Sequence, residues 1–483
     1  MPTQKLRFFN ACTVLVLGLF PLSASAAEPV EAAINATLDA GHVTGLRDCL
    51  AVALEHNKKI EISDLEIKIR EGEQKTTRIT YLPIIKVDGS VIKYDNAAVL
   101  RVDLSFLGTL LGDFKGFLSD DNQEQIAAFQ RDTLKIKVKQ TRVTEGGMTV
   151  YQPVGQLFIL HNNEVVSKAL VDSARQDGVS VKRKVELGVV KAYIALVAAT
   201  HMESVIQAGL LTLDELEKRS KGVRHRKRLK RSDAAKIRIA RADYLKNQFE
   251  VWKAAGLARA ELNLLMGRPL DAKLEPDPYG VNLHPEELPA GDSLPEAQDD
   301  AVNARPEMIS ARYENTAAEY GKLVAVGKMM PQVNLVGRYH NTEGTGQMQA
   351  ESAYFGGLVL SWDVWAWGVD YRKMRTAGVA QDKAEAELDD VEDKVRLEVE
   401  SAWLELQGAQ ERVADVLKTF ELADKKLAAA RIQYGRGKTN VTALLDLQAR
   451  QIAAANDLII AKVNVDSAGY SLAVARGVDL LDK

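Results

Sequence analysis

From Val395 through Val399, Ala402 and Leu406 to Leu427 and Ala430, apolar residues recur in a strict four-three alternation. Apolar residues at a and d over five heptads predict a coiled-coil seam, not the face of a short globular helix. Many seam residues are alanine, so partner helices can pack closely. The helix spans 368–433, which is roughly 100 Å at the helical rise. Tyr434-Gly435-Arg436-Gly437 breaks it. A second helix follows from about Val441 to Arg476, with Leu445, Ala449, Ile452, Ile459 and Val463 on one stripe.

Upstream the period changes. Residues 294–329 are dense in Ala, Glu, Lys and Met and read as one helix, ended by Pro331. From Gln332 the alternation is two: Val333, Leu335, Gly337 and Tyr339 face one way, Gln332, Asn334, Arg338 and His340 the other. Tyr354 to Asp363 alternates again, with Leu358, Leu360 and Trp362 on one side. Ile84–Tyr94 and Met148–Pro153 read as the matching strands earlier in the chain. Strands of about ten residues have the length of a tilted bilayer-crossing strand. By pattern alone, a hairpin on a soluble core is an equal reading.

The chain repeats itself. Leu46–Tyr94 aligns with Leu294–Asn341 at a step of 248 residues, which puts Pro83 on Pro331 and Gly89 on Gly337. Pro153–Gly267 aligns with Asp363–Gly477 at a step of 210, which puts Tyr193 on Trp403 and Leu262 on Leu472. The first copy therefore carries 38 extra residues between Gly89 and Pro153. The division predicted is a leader at 1–26, a first repeat at 27–267 with an insertion at about 95–147, a linker rich in Pro, Gly and acid at 268–293, and a second repeat at 294–483.

The leader sets the compartment. Lys5 and Arg7 precede an apolar run from Ala11 to Leu22, and Ala24-Ser25-Ala26 is a small-residue cleavage site, the layout of a secretory signal peptide. After cleavage Cys49 is the one thiol, so an internal disulfide is excluded. Charged residues are 27% and aromatics 6%, a globular and helix-rich balance, and a net charge of -3 gives no reason to expect nucleic-acid binding. No uninterrupted internal apolar run reaches the ~18–20 residues of a membrane-spanning helix.

These residues resemble the TolC-like outer-membrane efflux proteins. The matching pieces are Leu50–Asn57, Tyr81-Leu82-Pro83 entering a strand, Leu262–Pro269 closing the first copy, Tyr434-Gly435 before a turn, Leu444-Leu445-Asp446, and a closing Ala475-Arg476-Gly477. The resemblance covers about 45–480. It implies a mainly α fold with a small β part. Duplicated long coiled-coil hairpins and two β-hairpins per subunit would trimerise into a 12-stranded outer-membrane β-barrel on a periplasmic α-helical tunnel. The implied partners are two further copies of the chain, outer-membrane lipid, a periplasmic membrane-fusion adapter and an inner-membrane pump; no cofactor is implied. One subunit's four strands have open edges, which lipid does not tolerate, and closure by oligomerisation removes them.

The resemblance also points to gate and docking residues. Family members place aspartates one helical turn apart after the second tip. The matching positions here are Ala443 and Asp446, with Asp233 and Lys236 in the first copy, so Asp446 and Asp233 are the gate candidates. Asp446 reads equally as a solvated acid favoured by a helix N-terminus. The tip candidates for adapter docking are Arg224, Arg226, Lys227, Arg228, Lys230 and Arg231 in the first copy, a run that also reads as a solvated basic loop. In the second copy they are Gly435, Gly437, Lys438 and Thr439. Trp362, Trp365 and Trp367 read as an interfacial belt or as packing under the strands.

Catalytic signals fail. Gly437-Lys438-Thr439 ends like a phosphate loop, but Ile432 stands where its first glycine belongs. The seven His are scattered without ligand spacing. The expectation is a passive efflux duct for small toxic compounds working with an RND-type pump. The alternatives are the duct of a type I protein secretion system, or a periplasmic coiled-coil structural or adapter protein without a pore.

Overall fold

The computed structural model describes residues 44–103, 133–222, 231–277, 293–345 and 352–480. The predicted leader and most of the predicted linker lie outside them. In chain order the elements are α1 (Leu46–His56), α2 (Lys58–Ile79), β1 (Ile84–Lys93), β2 (Ala98–Asp103), β3 (Thr133–Pro153), α3 (Leu157–Gly222), α4 (Arg231–Leu265), α5 (Leu294–Ala304), α6 (Pro306–Gly327), β4 (Gln332–Thr345), β5 (Ser352–Ser361), α7 (Val369–Gly435) and α8 (Val441–Ala475). The chain forms two compact units. One takes residues 44–55, 188–277 and 412–463; the other takes 56–187, 293–411 and 464–480, in each case counting only described residues.

The second of these units holds the sheet. All neighbouring strands are antiparallel in the order β1-β3-β4-β5, and β2 pairs with the first part of β3. β3 is longer than the sequence implied: it starts at Thr133, not near Met148, and with β2 it turns the two ends of the predicted insertion into paired strands. Its lysines alternate with Leu134, Ile136 and Val138, a period-two pattern that the turn-like Thr144–Gly147 hid.

The helix expected over 294–329 is two helices. Pro306 opens α6, its missing N–H costing nothing at that position, and Arg305 before it is extended at φ −76°, ψ 133°. The break is held by charge. Arg305, almost fully buried, donates to Glu398 and, at 3.3 Å, to Glu307, while Ser180 Oγ donates to Glu307 at 2.6 Å. The apolar core beside it joins Ala297, Ala301 and Val302 of α5 and Met308 of α6 with Val395, Val399 and Ala402 of α7 and Leu472 and Ala475 of α8.

The other unit combines α1 with parts of α3, α4, α7 and α8. Ile206 and Leu213, Ile237 and Tyr244, and Val441, Leu445 and Ile452 form one cluster; Leu427, Ala430 and Leu444 form a second. The heptad seam read from sequence is the inward stripe: Val395, Val399, Ala402, Leu427 and Ala430 are buried, and Leu406 to Ala423 are half-buried between exposed neighbours. Ala449 is exposed, contrary to the stripe drawn for it; the buried positions there are Leu444, Leu445, Gln448 and Ile452. The fully buried Tyr193 hydroxyl donates to Thr44 O at 3.0 Å and accepts from Asp277 N at 3.1 Å, tying the segments before α1 and after α4 to α3.

Windows within Leu157–Lys218 and Val441–Ala475 are long and apolar enough, by length and composition, to cross a membrane. Charges such as Lys191 interrupt the run in the first, which is why an uninterrupted count passes over it. In this fold both helices supply the apolar seams just described.

Candidate functional site

The sheet has two faces, fixed by its register. Asp88 pairs with Gly147, Gly147 with His340 and His340 with Ala353, so these share one face. Lys86, Ser90, Glu145, Thr149, Arg338 and Thr342 fall on it too. Gly147 lacks a side chain, and Asp88 crosses above it to within 3.6 Å of Arg338. Around this pair a polar cavity of about 270 Å³ is lined by Asp88, Glu145, Arg338, His340 and Thr342.

The opposite face is apolar and open. Val87 is 80% exposed, Leu358 70% and Leu360 67%, and Ile85, Val91, Leu335 and Tyr339 are exposed with them. Apolar area of this extent facing outward in one chain marks a surface meant for lipid or for another protein. β1 and β5 each pair on one side, so both ends of the sheet carry free edges. An open edge and an apolar outer face together cannot stand alone in lipid. Below β5, Trp362 Nε1 donates to Met329 O at 3.2 Å, and the Trp365 and Trp367 rings meet edge-on at 6.1 Å.

In the helical unit the second tip is a tight cap. α7 ends at Gly435, Gly437 takes φ +75°, Gly437 N donates to Tyr434 O at 2.9 Å and Lys438 N to Gln433 O at 2.9 Å. A left-handed C′ residue with these two bonds satisfies the last carbonyls of a helix, and glycine adopts it without a Cβ clash. Asn440 then caps α8, its Oδ1 accepting from Ala443 N at 2.8 Å. Lys438 and Thr439 thus sit on a turn held from both sides.

Of the first tip, Arg224, Arg226, Lys227, Arg228 and Lys230 lie outside the described residues, and Arg231 is the first residue of α4. The gate candidates have different surroundings. Asp446 is exposed on α8 and pairs with Arg450 at 3.0 Å. Asp233, half-buried on the first turn of α4, sits close enough to Tyr434 for its charge to add to the burial that raises that phenol's pKa.

Two features here carried no sequence signal. Lys236 Nζ donates to Thr442 Oγ1 at 2.8 Å, joining α4 to α8 across 206 residues. Arg241 and Asp214 pair at 3.3 Å between α3 and α4. Contacts this distant in sequence are set by helix packing, which periodicity does not report.

Glu307, Glu186 and Cys49 are among the ionisable groups displaced by their surroundings. Burial would raise Glu307, but the Ser180 hydroxyl and the Arg305 charge overcome it and hold the carboxyl down at about 2. Burial, reinforced by Asp479, pushes Glu186 up to about 7, with Arg183 and Lys182 opposing. Burial and Asp48 push the Cys49 thiol to about 12, which makes it inert. Among the described residues no group of three or more His, Cys, Asp or Glu is placed to hold a metal ion.

A family model for outer membrane efflux proteins matches residues 298–478. No curated protein matches the chain. Among solved structures, that of CusC, described by conformational changes accompanying folding and transmembrane channel formation, is 14% identical with a TM-score of 0.73, over 90% of this chain and 93% of that one. The outer membrane protein VceC from Vibrio cholerae is 12% identical with a TM-score of 0.71, over 90% and 96%. The Campylobacter jejuni CmeC outer membrane channel is 14% identical with a TM-score of 0.69, over 89% and 85%. The shared fold thus extends through the first repeat, beyond the stretch the family model matches.

Proposed function

We propose that this chain, which matches a family model for outer membrane efflux proteins over residues 298–478 and shares the fold of outer-membrane channels over nine-tenths of its length, is one subunit of a homotrimeric exit duct. Three four-stranded sheets would join edge to edge into a 12-stranded barrel. The observation that carries this is the sheet itself: one exposed apolar face, one polar face, and free edges at β1 and β5. Closure by two further copies pairs the edges, turns the apolar face to lipid and encloses the polar face as an aqueous wall. The duct is passive. In this reading an inner-membrane pump supplies the energy, through a periplasmic adapter docked on the helical tips.

The capped second tip, with Lys438 and Thr439, and the basic first tip are the docking surfaces in this reading. Asp446 and Asp233 line the constriction between them. The cargo is small toxic compounds, and the pump is of the RND type. The adapter reading, without a pore, leaves the apolar strand face unexplained. Photoreactive residues placed at Arg228 and Lys438 in living cells test the docking. Capture of an RND-type adapter supports small-molecule efflux, capture of an ABC exporter's adapter moves the reading to protein secretion, and capture of no adapter from either tip sinks the docking surfaces proposed here.

A further inference from the structure

The junction between β5 and α7 has features that the barrel wall does not require. Trp362, two residues past Leu360, continues the apolar outer face, and its indole N–H is fixed on Met329 O. Trp365 and Trp367 follow, 76% and 85% exposed. Trp367 holds φ +53°, alone among the described non-glycine residues in being left-handed, and Gly368 after it holds φ +75°. The backbone therefore takes up strain to present an indole outward.

α7 begins immediately below and opens with cations. Arg372, Lys373 and Arg375 stand exposed in its first two turns. Lys373 pairs with Asp370 at 3.1 Å, while Arg372 and Arg375 have no carboxylate partner among the described residues. Arg372 and Lys373 flank a shallow, mostly apolar strip on one face of α7 formed with Val369, Thr376, Ala377 and Ala380. The order along the chain is apolar strand face, tryptophan pair, cations beside an apolar strip.

That order follows the depth profile of a lipid leaflet: hydrocarbon, carbonyl layer, phosphate. Indole is at home in the carbonyl layer, guanidinium binds phosphate with two parallel hydrogen bonds, and an apolar helix face packs against the first carbons of an acyl chain. We infer that this junction is a docking site for the headgroup of an anionic glycerophospholipid in the leaflet facing the periplasm. It rests on the duct reading, from which it takes the position of the sheet in lipid. Charge complementarity selects the occupant: the guanidiniums of Arg372 and Arg375, without a carboxylate partner among the described residues, favour an anionic headgroup over a zwitterionic one, with Lys373 already shared with Asp370. The equivalent junction of the first repeat lacks these parts, since α3 opens Leu157-Phe158-Ile159-Leu160-His161 with neither tryptophan nor arginine.

The test uses the full-length protein in detergent, offered equal amounts of phosphatidylglycerol and phosphatidylcholine of one chain length, with retained lipid counted by native mass spectrometry. The unaltered protein should keep phosphatidylglycerol preferentially, and replacing Arg372, Lys373 and Arg375 by Gln should lower that retention about five-fold per cation removed. Arg372→Lys with Arg375→Lys should keep most of it. Trp365→Ala with Trp367→Ala should loosen both lipids alike. Equal retention of the two lipids by the unaltered protein, or retention unchanged in the triple Gln variant, overturns the inference. Alkaline extraction of membranes separates the two failures. Protein released by alkali sinks the duct reading together with this inference, whereas membrane-held protein without anionic preference overturns this inference alone.

Discussion

The two repeats of this chain share a frame and differ in its polar fittings. α1 and α5, α2 and α6, and β1 and β4 each start 248 residues apart, and α4 and α8 start 210 apart. α4 and α8 also end on the same cap: Gly267 at φ +68° and Gly477 at φ +81°, with Arg268 N donating to Asn263 O at 2.8 Å and Val478 N to Ala473 O at 2.9 Å. Yet the break between the first two helices of each repeat is made differently. In the first, the buried Asn57 caps α2 through a 2.8 Å bond from Lys59 N. In the second, Arg305 stands at the equivalent position and makes ion pairs instead. The apolar seam and the caps set the frame; polar residues at matched positions are where the repeats were free to diverge.

The widest gap should lie at that break. Arg305→Ala removes a buried guanidinium shared by Glu307 and Glu398 and leaves half-buried Glu307 with Lys184, at 3.4 Å, as its cation; it should cost about 2–3 kcal/mol, whereas Asn57→Ala should cost about 1 kcal/mol, the usual loss for a cap. Denaturant unfolding of both variants checks the ratio, and equal costs would break the comparison. The Glu307 carboxyl is depressed in the fold, so its stabilisation is present above the ordinary carboxylate pKa and is lost as pH falls from about 4.5 towards about 2. Acid titration should show that loss in the unaltered protein and not in Glu307→Gln.

A second matched pair is Glu186 and Arg396, again 210 apart. Arg396 is paired with Asp299 at 3.0 Å and Glu392 at 3.0 Å, but Glu186 is buried with Oε2 unsatisfied. Its pKa is raised, so its contribution is favourable at low pH and is lost as pH rises from about 4.5 through about 7. Glu186→Gln should flatten stability over that window, read by thermal melting at several pH values; an unaltered slope would contradict the burial argument.

The caps should differ less. A side chain in the left-handed region costs about 1–2 kcal/mol, and Gly477→Ala should exceed Gly267→Ala because its Cβ would lie 3.1 Å from the Ala304 carbonyl carbon. Melting of the two variants checks the order. The smallest effect is electrical. If Asp446 and Asp233 form the proposed gate, Asp446→Asn, at the exposed position, should lower cation selectivity in planar-bilayer recordings more than Asp233→Asn, at the half-buried one.

Much of the fold was legible because it is written in periods. The four-three seam gave α7 within two residues, the two-residue alternation gave β4 and β5, and glycines at fixed steps gave the caps. The break at Pro306 was missed because the composition on both sides of it is equally helical, although proline after an arginine was a local signal for it. The start of β3 was missed because Thr144–Gly147 resembles a turn, and only pairing with β1 and β4 draws it into a strand. Of the proposed site residues, the tip glycines and Asp446 could be placed by the family resemblance, and the register between the two copies gives Asp233 as the match of Ala443. The Lys236–Thr442 bond and the Arg305 network could not, since each depends on which helices meet.

The central claim is that three copies close one barrel through the edges β1 and β5. Cysteines introduced in pairs, one at Ile85, Val87 or Val91 and one at Tyr354, Leu358 or Leu360, test it by oxidation in intact membranes followed by denaturing electrophoresis. The buried Cys49 stays silent. The account predicts that at least one pair yields a covalent trimer and nothing larger. Monomer alone from every pair, or an open ladder running past three, would contradict it.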